Sequence, residues 1–122
     1  MKKWLRLQLD KYYRLSDEEI LFLAQNGKSV SLKPGEKYLH AGNVADKIGL
    51  LKSGILRACQ LKNTGEIITN YFYYLPDNDI VTLQTSFSKD IVSEHSVEAI
   101  TECEIFSFDK EIILINYQTS KL

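Results

Sequence analysis

The residues of this 122-residue chain that could carry chemistry are few and scattered. His40 and His95 are the two histidines, and Cys59 and Cys103 the two cysteines. A structural zinc site takes about four closely spaced ligands. Here the histidines are far apart in sequence and form no His-x-His pair, so no metal site is expected. Both cysteines sit in apolar stretches, where a buried free thiol is the ordinary state. Nucleophilic and phosphate-transfer signatures are equally missing: there is no Gly-x-Ser-x-Gly elbow and no glycine-rich loop leading into Lys-Ser/Thr. Glu94 and His95 are neighbours, and on a strand they point to opposite faces, which does not make a dyad. The chain therefore reads as a non-enzyme. One segment keeps a binding chemistry. Thr82, Gln84, Thr85, Ser86 and Ser88, followed by Ser93 and Glu94, offer hydroxyls, an amide and a carboxylate. Such groups suit a neutral, metabolite-like ligand, or a phosphate held only by backbone amides; a polar surface turn has the same composition. The aromatic run Tyr71-Phe72-Tyr73-Tyr74 could stack on a base, although cross-strand and core packing is its commoner use.

The totals narrow the class further. One domain with one core suits this length. The net charge of −1 argues against a nucleic-acid-binding surface over the whole chain. The basic residues Lys2, Lys3, Arg6, Lys11 and Arg14 face Asp10 alone within the first fourteen positions. An arm of that kind can touch an acidic partner, but such runs usually form the solvated face of a helix. No signal-peptide pattern and no run near ~18 apolar residues occurs, so no membrane contact is expected and a cytoplasmic location is.

The elements that must position the polar segment follow from periodicity. Trp4, Leu5, Leu9, Tyr12 and Tyr13 recur at helical spacing over residues 3–13. Ser16-Asp17-Glu18-Glu19 is a capping box that opens a second helix, with Leu15 and Ile20 as its staple. Asn26-Gly27 reads as its stop, with glycine in the left-handed position. From Lys28 the period becomes two. Short apolar stretches are punctuated by Pro34-Gly35, Gly42-Asn43, Ser53-Gly54, Lys62-Asn63-Thr64-Gly65 and Pro76-Asp77-Asn78-Asp79, the rhythm of an antiparallel all-β barrel or sandwich. Expected strands are Lys37–His40, a hairpin of Lys47–Lys52 with Ile55–Leu61, then Glu66–Leu75, Ile80-Val81, Ile91–Thr101 and Cys103–Phe108. Residues 82–90 read as irregular. Asp109 is expected to cap a C-terminal helix through Ile112–Tyr117. The division is a helical lead-in over 1–27, an all-β segment over 28–108 and a C-terminal helix over 109–122.

This order of elements resembles the cyclic-nucleotide-binding domain, and more narrowly the N-terminal sensor half of Crp/Fnr-type bacterial transcription regulators of a divergent, Bacteroidetes-like kind. The residues that carry the resemblance are Leu32-x-Pro34-Gly35-Glu36, the Gly42 turn, Lys47 to Arg57, Asn78-Asp79-Ile80-Val81 and Ser96 to Ile105. The resemblance implies a mainly β fold: a jelly-roll β-roll, or double-stranded β-helix, flanked by helices, whose interior can hold a small-molecule ligand.

In that family a Gly-Glu pair and an Arg-Ser pair hold the ribose and the cyclic phosphate. With Asn78-Asp79-Ile80 as anchor, the first pair falls on Thr82 and Leu83, and the second on Ser93 and Glu94. The phosphate chemistry is gone at these positions, which implies a degenerate cassette that does not bind cyclic AMP. The ligand-binding candidates are accordingly Thr82, Leu83, Gln84, Thr85, Ser86, Ser93 and Glu94. Arg57 and Lys89 are the cations that could compensate if a cyclic nucleotide bound in an altered pose. No cofactor is expected: an iron–sulfur cluster needs about four thiolates. Regulators of this family continue into a dimer helix and a helix-turn-helix, neither of which residues 1–122 resemble. The chain is then expected to be part of a longer regulator or a free-standing sensor, without direct DNA binding, and a homodimer through 109–122 is compatible with it. A cupin-like metalloenzyme and a protein-interaction module are the alternatives from other classes.

Overall fold

The computed structural model of the chain describes residues 2–120; residues 1, 121 and 122, at the ends of the expected helical segments, lie outside them. In chain order the elements are α1 (Lys2–Leu9), α2 (Asp17–Asn26), β1 (Lys28–Leu32), β2 (Lys37–Leu39), β3 (Lys47–Ser53), β4 (Leu56–Leu61), β5 (Ile67–Tyr73), β6 (Ile80–Val81), α3 (Gln84–Lys89), β7 (Ser96–Ala99), β8 (Cys103–Asp109) and α4 (Lys110–Ser120). The strands form two four-stranded antiparallel sheets, ordered β1-β8-β3-β6 and β2-β7-β4-β5.

Alternation along the strands sends one set of side chains between the sheets. Leu51, Leu56, Val97 and Ile105 meet there, with Tyr38, Tyr73, Val81 and Leu83. The second set from β3 and β8, Leu50, Phe106 and Phe108, faces outward and is covered by Leu5, Ile20 and Leu23 of the helices. Strand β8 is therefore apolar on both faces, because one face meets the other sheet and the other meets α1 and α2. Trp4 adds an edge-to-face contact to Phe106, with ring centroids 6.3 Å apart.

The capping box at α2 is formed: Glu19 N–H donates to Ser16 Oγ at 3.1 Å, and Ser16 N–H to Glu19 Oε1 at 2.9 Å. The turn at Gly65 joins β4 to β5 as a hairpin. Other local expectations are corrected. Helix α1 ends at Leu9 rather than at residue 13. Gly27 is not left-handed, with φ −83. It is needed for space, since a Cβ there would lie 2.4 Å from the Phe106 ring. Ser53-Gly54 does not close a hairpin, because β3 and β4 belong to different sheets. Residues 84–89 are helical, held by tertiary ties rather than propensity, and only Ser96–Ala99 of the expected 91–101 strand pairs as one. Asp109 ends β8, where its carboxylate lies 3.8 Å from Lys28 Nζ.

The basic arm is largely engaged internally. Arg6 pairs with Asp17 at 2.5 Å and Arg14 with Asp10 at 3.2 Å. Past α1, Lys11 Nζ reaches Asp79 Oδ2 at 2.7 Å and Tyr12 donates its hydroxyl to Asp79 Oδ1. Asp79 has no exposed surface. Partial burial and then the Asp79 bond raise the Tyr12 pKa from 10.0 to about 12. The folded state thus holds this proton more tightly than the unfolded chain, so stability is intact below pH 10 and declines as the pH rises through 12. Tyr38 and Tyr73, pushed up by deeper burial, act in the same sense. Urea midpoints measured from pH 9 to pH 12 are expected to fall, and Tyr12→Phe to lessen that fall; an unchanged slope in the variant contradicts the contact.

Candidate functional site

An open cleft of about 580 Å³ lies where α3 and the segment after it meet β5. Six of the seven candidate residues line it: Leu83, Gln84, Thr85, Ser86, Ser93 and Glu94. Tyr71, Ile91, Val92 and His95 complete the lining.

The cleft's shape is fixed by hydrogen bonds that occupy several of the expected ligand groups. Ser86 is buried; its hydroxyl accepts from Ala45 N–H at 2.8 Å and donates to the Ile91 carbonyl at 2.5 Å. It bridges α3 to both flanking segments, and its one proton is already in use. Ser93 is tied through its backbone to Gly42 and Asn43, and its Oγ accepts from His95 N–H at 3.0 Å. Thr82 lies beneath the cleft: its hydroxyl donates to the Lys47 carbonyl at 3.1 Å, and its own carbonyl accepts from Tyr73 at 2.6 Å. Leu83 contributes apolar floor at 6 % exposure. The polar groups that face solvent from the lining are Gln84, Thr85 and Glu94, with Tyr71 half-exposed.

The electrostatics are one-sided. Glu94 is the one carboxylate of the lining, and no lysine or arginine joins it. Arg57 is elsewhere. It lies opposite Glu98 across the β4–β7 ladder, with Nη2 2.8 Å and Nε 3.2 Å from Glu98 Oε1, and Nη1 donates to Thr69 Oγ1 at 3.1 Å. Its neighbours Leu56 and Ala58 point into the core, so Arg57 points to the outer face of the sheet. Lys89 is exposed at the end of α3 and does not line the cleft.

The remaining candidates for chemistry stay apart. His40 lines a separate hollow of about 230 Å³, with Asn43 and Asp46, whereas His95 is in the cleft. Among the described residues, no three histidine, cysteine, aspartate or glutamate side chains are grouped to hold a metal ion. Cys59 and Cys103 are buried free thiols, and burial pushes both pKa values up. A larger groove of about 690 Å³ between α1 and α2 has an apolar floor of Leu7, Ile20 and Leu21, flanked by Lys2 and Lys3 and by Asp17 and Glu18. Its charges do not converge on one position. No helix among the described residues is long and apolar enough to cross a membrane.

Two residues are not singled out by the sequence from their neighbours. Tyr71 was one of four consecutive aromatics, with nothing to separate it from the packed ones. The signal lies in its partner, since Ala58 opposite it is too small to cover a ring. Asp79 reads as part of a turn, although a carboxylate directly before partly buried Ile80 and buried Val81 calls for a cation.

Comparison with known proteins places this architecture. Residues 29–118 match the family described as the Cyclic nucleotide-binding domain. No curated protein sequence matches the chain. Among solved structures, the sensor domain of the transcriptional regulator DNR from Pseudomonas aeruginosa superposes with a TM-score of 0.81 at 16% identity, over 96% of this chain and 79% of that one. The Catabolite Activator Protein of Thermus thermophilus gives 0.71 at 16% identity, over 90% and 50%. The regulatory subunit of a cAMP-independent protein kinase A from Trypanosoma cruzi, bound to guanosine, gives 0.72 at 18%, over 85% and 36%. At such identities these are likenesses of fold, and the chain spans half or less of the last two proteins.

Proposed function

The chain belongs to the cyclic nucleotide-binding domain family, and from that premise we propose that it is the non-enzymatic sensor domain of a Crp/Fnr-type regulator whose cassette no longer recognises a cyclic phosphate. The observation that carries this is the charge of the cleft: Glu94 lines it, and no arginine or lysine does. A phosphate monoanion about 6–8 Å from that carboxylate is repelled by about 2–3 kcal/mol at an effective dielectric of about 20. It also lacks the bidentate guanidinium contact that makes phosphate binding strong. The ligand is a small molecule without a phosphate. The fold is compatible with this, since the Trypanosoma cruzi regulatory subunit is described as cAMP-independent and as bound to guanosine. Likeness to the DNR sensor domain supports the regulatory role.

The output runs through α4. Lys110 Nζ, at its start, donates to the Phe87 carbonyl at 2.5 Å and pairs with Asp90 Oδ1 at 2.7 Å. Phe87 and Asp90 belong to α3 and its end, so a ligand that moves α3 moves the base of α4. Such a shift requires that the ligand prefer one of two positions. The altered pose of a cyclic nucleotide on Arg57 has nothing in its favour, because that guanidinium is already engaged by Glu98 and Thr69. Calorimetric titration with cyclic AMP and cyclic GMP tests the reading. No binding is expected in the low-micromolar range; a low-micromolar Kd for either overturns it.

A further inference from the structure

We propose that Tyr71 and Glu94 make the cleft a nucleoside site, the ring of Tyr71 stacking on a flat base and Glu94 accepting from hydroxyl or amino donors. This rests on the reading of the cleft as a ligand site that excludes anions. Within the aromatic run of β5, Tyr71 and Tyr73 share the inner face of the sheet, opposite Ala58 and Leu56. Tyr73 is 2 % exposed and belongs to the core, whereas Tyr71 is 43 % exposed and lines the cleft.

The Tyr71 ring is held before any ligand arrives. It packs edge-on against Tyr73, with centroids 5.3 Å apart and planes at 68°. The two hydroxyls are 3.1 Å apart, and Tyr73 also contacts the Thr82 carbonyl at 2.6 Å. Tyr73 has one proton, which it directs to the Thr82 carbonyl and the Tyr71 oxygen. The Tyr71 hydroxyl is thereby engaged with Tyr73, and its ring is what it offers to a ligand. A ring already ordered loses little freedom on binding. Ile91 and Val92, both at least half exposed, supply apolar surface in the same cleft.

Glu94 decides among flat ligands. Among the described residues its carboxylate has no hydrogen-bond or ion-pair partner. It disfavours nucleotides and carboxylated aromatics alike and favours uncharged rings that carry donors. A nucleoside has that chemistry: a stacking base, amino and ribose hydroxyl donors, and no anion. Base-on-aromatic stacking is sequence-tolerant, and its loss typically weakens binding by about tenfold.

The test is calorimetric titration of adenosine and guanosine into the chain and into Tyr71→Phe, Tyr71→Leu and Glu94→Gln, with circular dichroism as the folding control. At least one nucleoside is expected to bind the unaltered chain. Tyr71→Phe, which keeps the ring, stays within about twofold, while Tyr71→Leu and Glu94→Gln each weaken binding by about tenfold. Absence of binding by both nucleosides overturns the inference. So does unchanged affinity in folded Tyr71→Leu or in Glu94→Gln; if Tyr71→Leu does not fold, the Glu94→Gln result decides. These failures are distinct from tight binding of cyclic AMP, which would overturn the underlying reading of the cleft.

Discussion

Gly54→Ala is expected to lower the stability of the domain by about 3–5 kcal/mol, a large share of the roughly 5–15 kcal/mol that holds a domain of this kind together. The cost has two parts. Gly54 has φ +96, a backbone conformation that costs a residue with a side chain about 1–3 kcal/mol. An added Cβ would also lie 2.2 Å from the Glu102 carbonyl and 2.6 Å from Cys103 Sγ. Neither can retreat freely, because Cys103 begins the central strand β8 and is 1 % exposed; such overpacking costs about 1–3 kcal/mol more. Gly65→Ala is the control. It has φ +88, but nothing lies within 4 Å of the added Cβ, so it should lose only the conformational part, about 1–2 kcal/mol. Equal losses in urea denaturation of the two variants would show that the close crossing from β3 to β4 is not tight.

Lys11→Met carries the second large effect, about 2–3 kcal/mol. Asp79 is fully buried, and Lys11 is its cation at 2.7 Å. Removing one partner of a buried pair leaves an uncompensated charge, which typically costs about 3–5 kcal/mol. The Lys11 side chain is itself 37% exposed, so the value falls at or below the low end of that range. Asp79→Asn on the Lys11→Met background should recover part of the loss, since the buried charge is then gone. A double-mutant cycle reads this directly as a coupling of about 1 kcal/mol or more. Additive effects would mean that the pair does not hold the segment after α1 against the β5–β6 turn. The contact matters to the site because Asp79 stands immediately before β6, the strand that leads through Thr82 into the cleft.

The elements set by neighbouring residues were legible in the sequence. Ser16 and Glu19 announce their own cap, Gly65 its turn, and Val30 and Leu32 the inward face of β1. What depends on distant partners was not. Ser53-Gly54 looks like a hairpin turn, but β3 pairs with β8 and β6, and β4 with β5 and β7; no local pattern reveals that. Thr85, Ser86 and Ser88 are weak helix formers, and the helix exists because Ser86 ties it to Ala45 and Ile91. For the cleft, the lack of a cation at Ser93 and Glu94 could be read, since charge is a property of the residue type alone. The engagement of Arg57 by Glu98 could not, because those residues are 41 positions apart. Nor could the exposure of Tyr71 beside the burial of Tyr73, which depends on the β4 residues opposite them.

The central claim is that this roll keeps its cleft and rejects the cyclic phosphate. The most direct measurement is a paired titration of the unaltered chain with adenosine and with cyclic AMP, which share a base and most of a ribose and differ in the phosphate. Adenosine is expected to bind at least about tenfold more tightly, a difference of ~1.4 kcal/mol and within what repulsion by Glu94 supplies. Tighter binding of cyclic AMP would contradict the account.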